Sequence, residues 1–336
     1  MPHSHEPDTM DDLCAAVRSF DGHRLLIWGD FVADRFLHGS TTRVSREAPA
    51  LVLRYEGEQI RPGGAGNAAL NAAALGAQVT ACGFVGDDEA GAALRRALGD
   101  AGIDVANLET RTDGKTPIKT RVMAGGQHTV RQQILRIDDE TPWTQTAAAD
   151  AVGQQVAALA ANADAVLISD YGLGTICAAG AQQWLGTAPD VPTVLDSRYR
   201  LFDFAGVTAA TPNEGEAEAA LHRDLGGGDA AVEAAGREIA ERLGCAHLLI
   251  TRGSHGMSVF SGDKTVEHLP VHGVSEVADV TGAGDTVIAT FTIGLAAALD
   301  ALTAARIANV AASLAVREYG TATVTQADLL GALGGA

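Results

Sequence analysis

Apolar residues along this chain fall in short blocks separated by longer stretches of mixed polarity. Arg24–Gly29, Gln78–Phe84, Ala165–Ser169, Thr193–Leu195, Val207–Ala210, His247–Thr251 and Met257–Phe260 are compact runs, too short for helices. They read as strands covered on both faces. Between them, Asn67–Leu75, Glu89–Ala101, Ala147–Ala161, Asp229–Leu243, Asp285–Leu299 and Thr303–Tyr319 carry helix-like patterns. Short apolar strands alternating with longer helices predict an α/β chain with a mostly parallel sheet and crossover helices. Gly226-Gly227-Gly228 reads as a local loop, and residues 1–336 are expected to form one domain.

Two stretches break the alternation. Thr116–Met123 and Thr129–Ile137 are strand-like and joined by Ala124-Gly125-Gly126-Gln127, which reads as a hairpin. With Leu51–Tyr55 they predict a small β sheet, drawn from about 35–61 and 111–137, that projects as a lid over a substrate site. A dimerisation surface is the alternative, and one sheet can serve both.

Several predicted strands end in a polar residue: Asp30 after LLIWG, Asp170 after VLIS, Asp196 after TVL, Asn213 after TAATP and Thr251 after HLLI. Any one of them could cap a helix. Together they predict the lining of a site, because ligands of open α/β sheets bind beyond the carboxyl ends of the strands.

Composition narrows the classes. Hydrophobic content is 46% with only 4% aromatic residues, which suits small-residue helices laid closely on a sheet. A formal charge of −18 excludes a nucleic-acid binder, whose phosphate contacts need a basic face. The windows 35–61 and 111–136 nevertheless hold eleven basic residues against four acidic ones. Basic patches in an acidic chain point to an anionic small molecule, with ordinary solvated strand faces as the plainer reading. The acidic start MPHSHEPDTMDDLCAAV lacks the basic end of a secretory leader, and no run of 18 residues is free of polar interruption, so a cytoplasmic protein without membrane attachment is expected. Cys14, Cys82, Cys177 and Cys245 are far apart, outside any CxxC pairing, and read as reduced thiols.

The densest chemistry lies in Asp279-Val280-Thr281-Gly282-Ala283-Gly284-Asp285-Thr286, followed by the apolar run VIATFTIGLAAAL. A glycine turn opening a buried helix directs free N–H groups and the positive dipole end at one spot, which suits an anion. Asp285 in that first turn supplies a carboxylate beside it. Donors for developing negative charge next to a base are what phosphoryl transfer to an alcohol requires; a plain helix cap is the competing reading of Asp285.

Weaker motifs surround it. Gly64-Ala65-Gly66-Asn67-Ala68-Ala69 matches the dinucleotide pattern G-x-G-x-x-A, but the preceding Gln59–Gly63 does not read as a buried strand. Gly63 and Gly64 read better as a backbone surface for a polyhydroxylated ligand, with Asn67 donating and accepting hydrogen bonds. Asn213 and Glu216 place an amide and a carboxylate at i, i+3 near Mg²⁺ or its waters. Thr251-Arg252-Gly253-Ser254-His255-Gly256 could hold nucleotide phosphates. The sequence contains no P-loop, nucleophile elbow or metal-type histidine cluster.

Taken together, these motifs resemble the ribokinase-like (PfkB) carbohydrate kinases over nearly the whole chain. Within that family the chain is most similar to the kinases of D-glycero-β-D-manno-heptose 7-phosphate. The closer likeness rests on Gly29-Asp30 with Asp34-Arg35-Phe36, Thr42 to Pro49, Arg61 to Asn67, Ser169-Asp170-Tyr171, Thr211-Pro212-Asn213 and Asp279 to Val287. The resemblance implies a three-layer α/β/α domain with a β lid. It implies ATP and Mg²⁺ as cofactors and admits a monovalent cation. Gly282, Ala283 and Gly284 would form the anion hole and Asp285 would be the base. Asp30, Asp34, Gly63, Gly64, Asn67 and Asp170 would hold the sugar, with Arg43, Lys119 and Arg131 on its phosphate. Asn213, Glu216, Thr251, Gly253, Gly256 and Asn309 would serve the nucleotide, Glu216 reaching Mg²⁺ through water. The implied reaction is phosphorylation at O1 to a 1,7-bisphosphate, in a homodimer joined through the lid.

Two departures qualify the likeness. Asp196-Ser197-Arg198-Tyr199-Arg200 stands where the branch commonly has Asp-Pro-Lys, and the sequence to Ala336 lacks the HxGH motif of a nucleotidyltransferase, a step expected to fall to a separate enzyme. The alternatives are another acceptor (fructose 1-phosphate, fructose 6-phosphate, ribose or fructose), a catalytically silent sugar-binding regulator, and an NAD(P)-dependent oxidoreductase.

Overall fold

The chain is seen in a computed structural model that describes residues 9–125, 132–144, 146–187, 191–262, 265–273 and 277–334. Helix α1 (Met10–Arg18) leads into β1 (Arg24–Val44), β2 (Leu51–Gly64), α2 (Ala65–Ala74), β3 (Gln78–Gly86), α3 (Glu89–Asp100) and β4 (Asp104–Arg111). Next come β5 (Ile118–Gly125), β6 (Gln132–Asp139), α4 (Thr146–Ala160), β7 (Ala165–Asp170), α5 (Ala178–Leu185), β8 (Thr193–Ser197) and β9 (Ala209–Ala210). The last part holds α6 (Glu214–Leu221), α7 (Asp229–Leu243), β10 (His247–Thr251), β11 (Met257–Phe260), β12 (Val266–Leu269), α8 (Ala283–Ala296), α9 (Ala301–Ala315) and α10 (Gln326–Ala332).

Nine strands form the main sheet in the order β12-β11-β10-β9-β8-β7-β1-β3-β4. The strands from β10 to β4 are parallel, and β11 and β12 close one edge as antiparallel additions. Each central strand is apolar on both faces because each face carries helices. Leu25 and Ile27 of β1 face a core built with α1, α2, α3, α8, α9 and α10. Leu26 and Trp28 face the opposite core with α4, α5, α6 and α7. The three-layer α/β/α arrangement follows from that two-sided burial.

The structure departs from the sequence reading most at β1. The run Arg24–Gly29 was expected to stop at Asp30, yet the strand continues to Val44. Through Asp30 it lies between β7 and β3; from Phe31 it leaves the main sheet and pairs with β2 and then β5. Close backbone approach makes the crossing possible: a Cβ on Gly29 would lie 2.5 Å from the Ser169 carbonyl, and one on Gly83 2.5 Å from the Gly29 carbonyl. The lid is therefore β2-β1-β5-β6, continuous with the core sheet. Its β5·β6 pairing is antiparallel as the hairpin predicts, with the connecting residues 126–131 outside the described part. Residues 59–63, read as lying outside a buried strand, are the end of β2, which is largely exposed until Pro62.

Candidate functional site

The carboxyl ends of β10, β9, β8, β7 and β1 lie side by side, and a cavity of about 450 Å³ opens above them beneath the lid. Asp170, Asp196, Asn213 and Thr251 line it, as the pattern of polar strand ends predicts. Asn213 and Thr251 form a parallel bridge that brings two of those ends into register. Asp30 is the exception. Its carboxylate is buried and accepts hydrogen bonds from the backbone N–H groups of Tyr171 (2.8 Å), Leu173 (3.0 Å) and Thr175 (3.2 Å). It fastens the loop after β7 and does not line the cavity.

Asp285 lies in the first turn of α8. Gly282 precedes the helix with φ +77°, a conformation that suits glycine, and a Cβ there would lie 2.5 Å from Asn67 Nδ2. The Asn67 amide donates to Asp285 Oδ2 (2.9 Å) and to the Gly282 carbonyl (3.3 Å), while Tyr171 Oη donates to Asp285 Oδ1 (2.9 Å). Both carboxylate oxygens are thereby oriented. Burial pushes the Asp285 carboxyl up to about 6, against the pull of the Asn67 and Tyr171 hydrogen bonds. Such a group is ionised at neutral pH and still basic enough to accept a proton.

Asn67 was expected to meet the sugar; its side chain is buried and committed to Asp285, Gly282 and Asn71, so it positions the carboxylate. The expected anion hole is narrower than Gly282, Ala283 and Gly284. The Ala283 N–H turns back onto the Val280 carbonyl at 3.3 Å, whereas the N–H groups of Gly284 and Asp285 have no backbone partner among the described residues. Gly282 and Gly284 line the cavity.

The lid supplies cations. Lys119, Arg121 and Arg136 line the cavity, Lys119 and Arg121 two residues apart on one face of β5 and Arg136 directly opposite Arg121 on β6. Each is bonded to a carboxylate: Arg121 to Asp34, Lys119 to Glu140 at 3.0 Å, and Arg136 to Asp138 at 2.7 Å. Of the residues expected on a substrate phosphate, Lys119 lines the cavity. Arg43 is exposed near the outer end of β1, away from the cavity lining, and Arg131 lies outside the described residues. Arg121 and Arg136 were missed as individuals, although both fall in the basic window that called for an anion. Strand period would have singled out Arg121 once Lys119 was chosen.

Asp34 and Gly64 line the cavity, and Gly63 lies behind Asp34. Burial pushes the Asp34 carboxyl up and the Arg121 guanidinium opposes that shift. A Cβ on Gly63 would lie 2.3 Å from Asp34 Oδ2. We expect Gly63→Ala to displace that carboxylate and to weaken several-fold the binding of a polyhydroxylated ligand to the cavity, as measured by calorimetric titration. Gly64 adopts φ 55°, ψ −131°, and a Cβ on it would lie 2.8 Å from the Asp30 carbonyl.

Asp170 also lines the cavity, but Ser197 Oγ (2.7 Å), Arg200 and the Gly172 N–H already hold its carboxylate. On the opposite side, Asn213 and Glu216 form a capping box that starts α6: Asn213 Oδ1 accepts from the Glu216 N–H and Glu216 Oε2 from the Asn213 N–H, both at 2.9 Å. Burial pushes the Glu216 carboxyl up. Asp196 rises well above the usual carboxylate range, through burial first and then the neighbouring charges of Glu216, Asp285 and Asp170. Thr251 lines the cavity; Gly253, Gly256 and Asn309 do not. Gly256, at φ +82°, would place a Cβ 2.0 Å from the Leu269 carbonyl, and Asn309 donates to the Pro270 carbonyl at 2.7 Å, so both shape the backbone around the site. Tyr171, Asp196, Arg198 and Thr211 also line the cavity. Asp196 had been noted as a polar strand end, and Tyr171 escaped because its partner Asp285 is 114 residues away.

The donor set is all oxygen and nitrogen of hard character, and among the described residues no group of three His, Cys, Asp or Glu is arranged to hold a metal ion. A cavity with five carboxylates and four cations, an oriented base and a helix N-terminus can bind a polyhydroxylated anion, remove a proton from a hydroxyl and stabilise charge on a transferring group.

Residues 32–328 match the pfkB family of carbohydrate kinases. The bifunctional protein HldE of Pelobacter propionicus is 39% identical over 312 residues, covering 92% of this chain and 62% of the relative. That of Pseudomonas aeruginosa (strain UCBPP-PA14) is 40% identical over 311 residues, covering 92% and 63%. The chain thus spans less than two thirds of the length of these curated relatives. Among solved structures, Arabidopsis thaliana ribokinase complexed with ribose and ATP superimposes with a TM-score of 0.70 at 20% identity, covering 93% of this chain and 99% of that one. Escherichia coli phosphofructokinase-2 in complex with potassium does so with a TM-score of 0.73 at 18% identity, covering 93% and 98%. These two share the fold.

Proposed function

The chain belongs to the pfkB family of carbohydrate kinases, and from that premise we propose that it phosphorylates O1 of D-glycero-β-D-manno-heptose 7-phosphate with ATP. The observation that carries a phosphorylated acceptor is the lid wall: Lys119, Arg121 and Arg136 converge on one cavity in a chain whose net charge is −18. Arg121 and Arg136 face each other across a strand pair, each held by a carboxylate, so a phosphate that joined them would share them with Asp34 and Asp138. Similarity to the HldE proteins over nearly all of this chain supports heptose within the family.

In this reading Asp34 and the Gly63–Gly64 backbone hold sugar hydroxyls and the lid cations hold the 7-phosphate. Asp285 accepts the proton of the O1 hydroxyl as that oxygen attacks the γ-phosphorus. Asn67 and Tyr171 keep the Asp285 lone pairs aimed, and the Gly284 and Asp285 N–H groups stabilise the charge that develops. Asn213, Glu216 and Thr251 line the nucleotide side. Mg²⁺ fits an oxygen-rich wall without a three-carboxylate cage: Glu216 and Asp196 would meet it, mostly through water, and it would neutralise phosphate charge. The lid also exposes Val44, Leu51, Tyr55, Leu135 and Ile137, a surface that supports the homodimer joined through the lid. The proposed setting is the cytoplasm; no helix among the described residues is long and apolar enough to cross a membrane.

A coupled ADP-release assay over heptose 7-phosphate, fructose 1-phosphate, fructose 6-phosphate, ribose and fructose tests the acceptor. We expect the highest kcat/KM with heptose 7-phosphate. Preference for free ribose or fructose would overturn the role given to the lid cations. Repeating the assay with and without K⁺ and Mg²⁺ tests both ions, and sedimentation of the protein tests the dimer.

A further inference from the structure

Four cations line the cavity, and three of them are each bonded to a carboxylate. Arg198 is different. Among the described residues its guanidinium makes no ion pair or hydrogen bond. It lies instead against two rings, its Cζ 6.0 Å from the centroid of Tyr171 and 5.7 Å from that of Tyr199. A cation–π approach at this range holds the cation beside the rings while leaving its five N–H donors free.

Its position in the fold decides what those donors can reach. Arg198 follows β8, one residue beyond Ser197, and its backbone N–H donates to the Asp170 carbonyl at 3.0 Å. Its side chain lines the same cavity as Asp196, Glu216, Gly284 and Asp285. Tyr171, whose ring the Arg198 guanidinium overlies, donates to Asp285. The side chain thus reaches the cavity from the end of a main-sheet strand. Lys119, Arg121 and Arg136 come from the lid, on other strands.

Resting on the kinase reading above, we propose that Arg198 binds the phosphoryl group in transfer, opposite the N–H groups of Gly284 and Asp285. The acceptor oxygen forms its bond to the γ-phosphorus and its proton goes to Asp285. The bond from that phosphorus to the β,γ-bridging oxygen breaks, and its electron pair leaves with ADP. The equatorial oxygens carry negative charge throughout, and a free guanidinium answers that charge with two parallel donors. The third place of Asp196-Ser197-Arg198 then supplies a cation with a fork of donors.

The side chain is exposed and, among the described residues, makes no hydrogen bond or ion pair, so substitution should leave the fold intact, and circular dichroism checks this. We expect Arg198→Met to lower kcat by about 10²- to 10³-fold, the scale of losing one donor to developing charge. The KM of the sugar phosphate and the pH midpoint of the remaining activity should stay unchanged. Arg198→Lys and added guanidinium ion should each restore part of the loss. The measurements use whichever acceptor the wild-type protein turns over fastest, so a mistaken heptose assignment would show in the wild type and not in the variants. An unchanged kcat would overturn the proposal. So would a loss confined to the KM of the sugar phosphate, which would move Arg198 to the acceptor's own phosphate. A displaced pH midpoint without guanidinium rescue would also overturn it, since the role would then be to hold Tyr171 against Asp285.

Discussion

Replacing Asp285 with Asn is expected to abolish nearly all turnover while leaving both substrates bound. A positioned general base is worth about 10²- to 10⁴-fold, and this carboxylate has both oxygens oriented, by Asn67 and Tyr171. Asn67, Tyr171, the lid cations and the α6 cap all remain in the variant, so calorimetric titration should still detect the proposed sugar phosphate and ATP. Near-normal turnover would remove Asp285 from the mechanism.

The same substitution has a stability signature. The Asp285 carboxyl titrates near 3.8 unfolded and at about 6 folded, so the folded state binds that proton more tightly. Its contribution is greatest below the unfolded value, declines as pH rises between the two, and is lowest above about 6. The difference amounts to on the order of 3 kcal/mol. Asp285→Asn removes the ionised form, so at pH 8 the variant should melt no lower than the wild type, and the two should converge as pH falls toward 5. The wild-type rate should fall with a single protonation near pH 6. A rate that stays flat to pH 5 would contradict this assignment of the base.

Arg121→Met is expected to have the next largest effect, and on two properties. Arg121 and Asp34 are both buried and bonded to each other, with side-chain exposures of 8% and 5%. Removing one partner of a buried pair leaves an uncompensated charge, a loss of about 3–5 kcal/mol. Asp34 would escape part of that penalty by taking up a proton, so the variant should be more stable at pH 5 than at pH 8. Pairing it with Asp34→Asn removes the stranded charge and should recover much of the stability. It should not recover turnover, because Asp34 and Arg121 both face the cavity. Stability that failed to recover in the double variant would show that Arg121 acts through packing on Phe36, whose ring centroid lies 5.5 Å from its Cζ, more than through its charge.

Much of this was legible in the chain. The block pattern yields the parallel sheet because strands covered on both faces must be apolar throughout. Glycines and an aspartate before an apolar helix announce an anion site because few other arrangements require that backbone. The same pattern misread Asp30 and Asn67. Each has the right residue type near the right strand end, but whether a polar side chain faces a ligand or the protein is set by partners far along the chain. The Asp30 acceptors are held by backbone N–H groups more than 140 residues away, and the Asn67 amide by Asp285, 218 residues away.

What the sequence determined by itself is therefore local: element type, the glycine-opened helix at Gly282, and the excess of cations in two windows. Strand period, capping chemistry and charge are properties of neighbouring residues. Tertiary structure alone decided which cations meet in one cavity and which carboxylate is buried and oriented beside them. The long β1 strand belongs to two sheets and carries the lid over the strand ends, bringing Arg121 and Arg136 in and leaving Arg43 outside. Burial then raises the Asp285 carboxyl while Asn67 and Tyr171 orient it. Desolvation and long-range hydrogen bonds depend on the packed whole, and no window of sequence contains them.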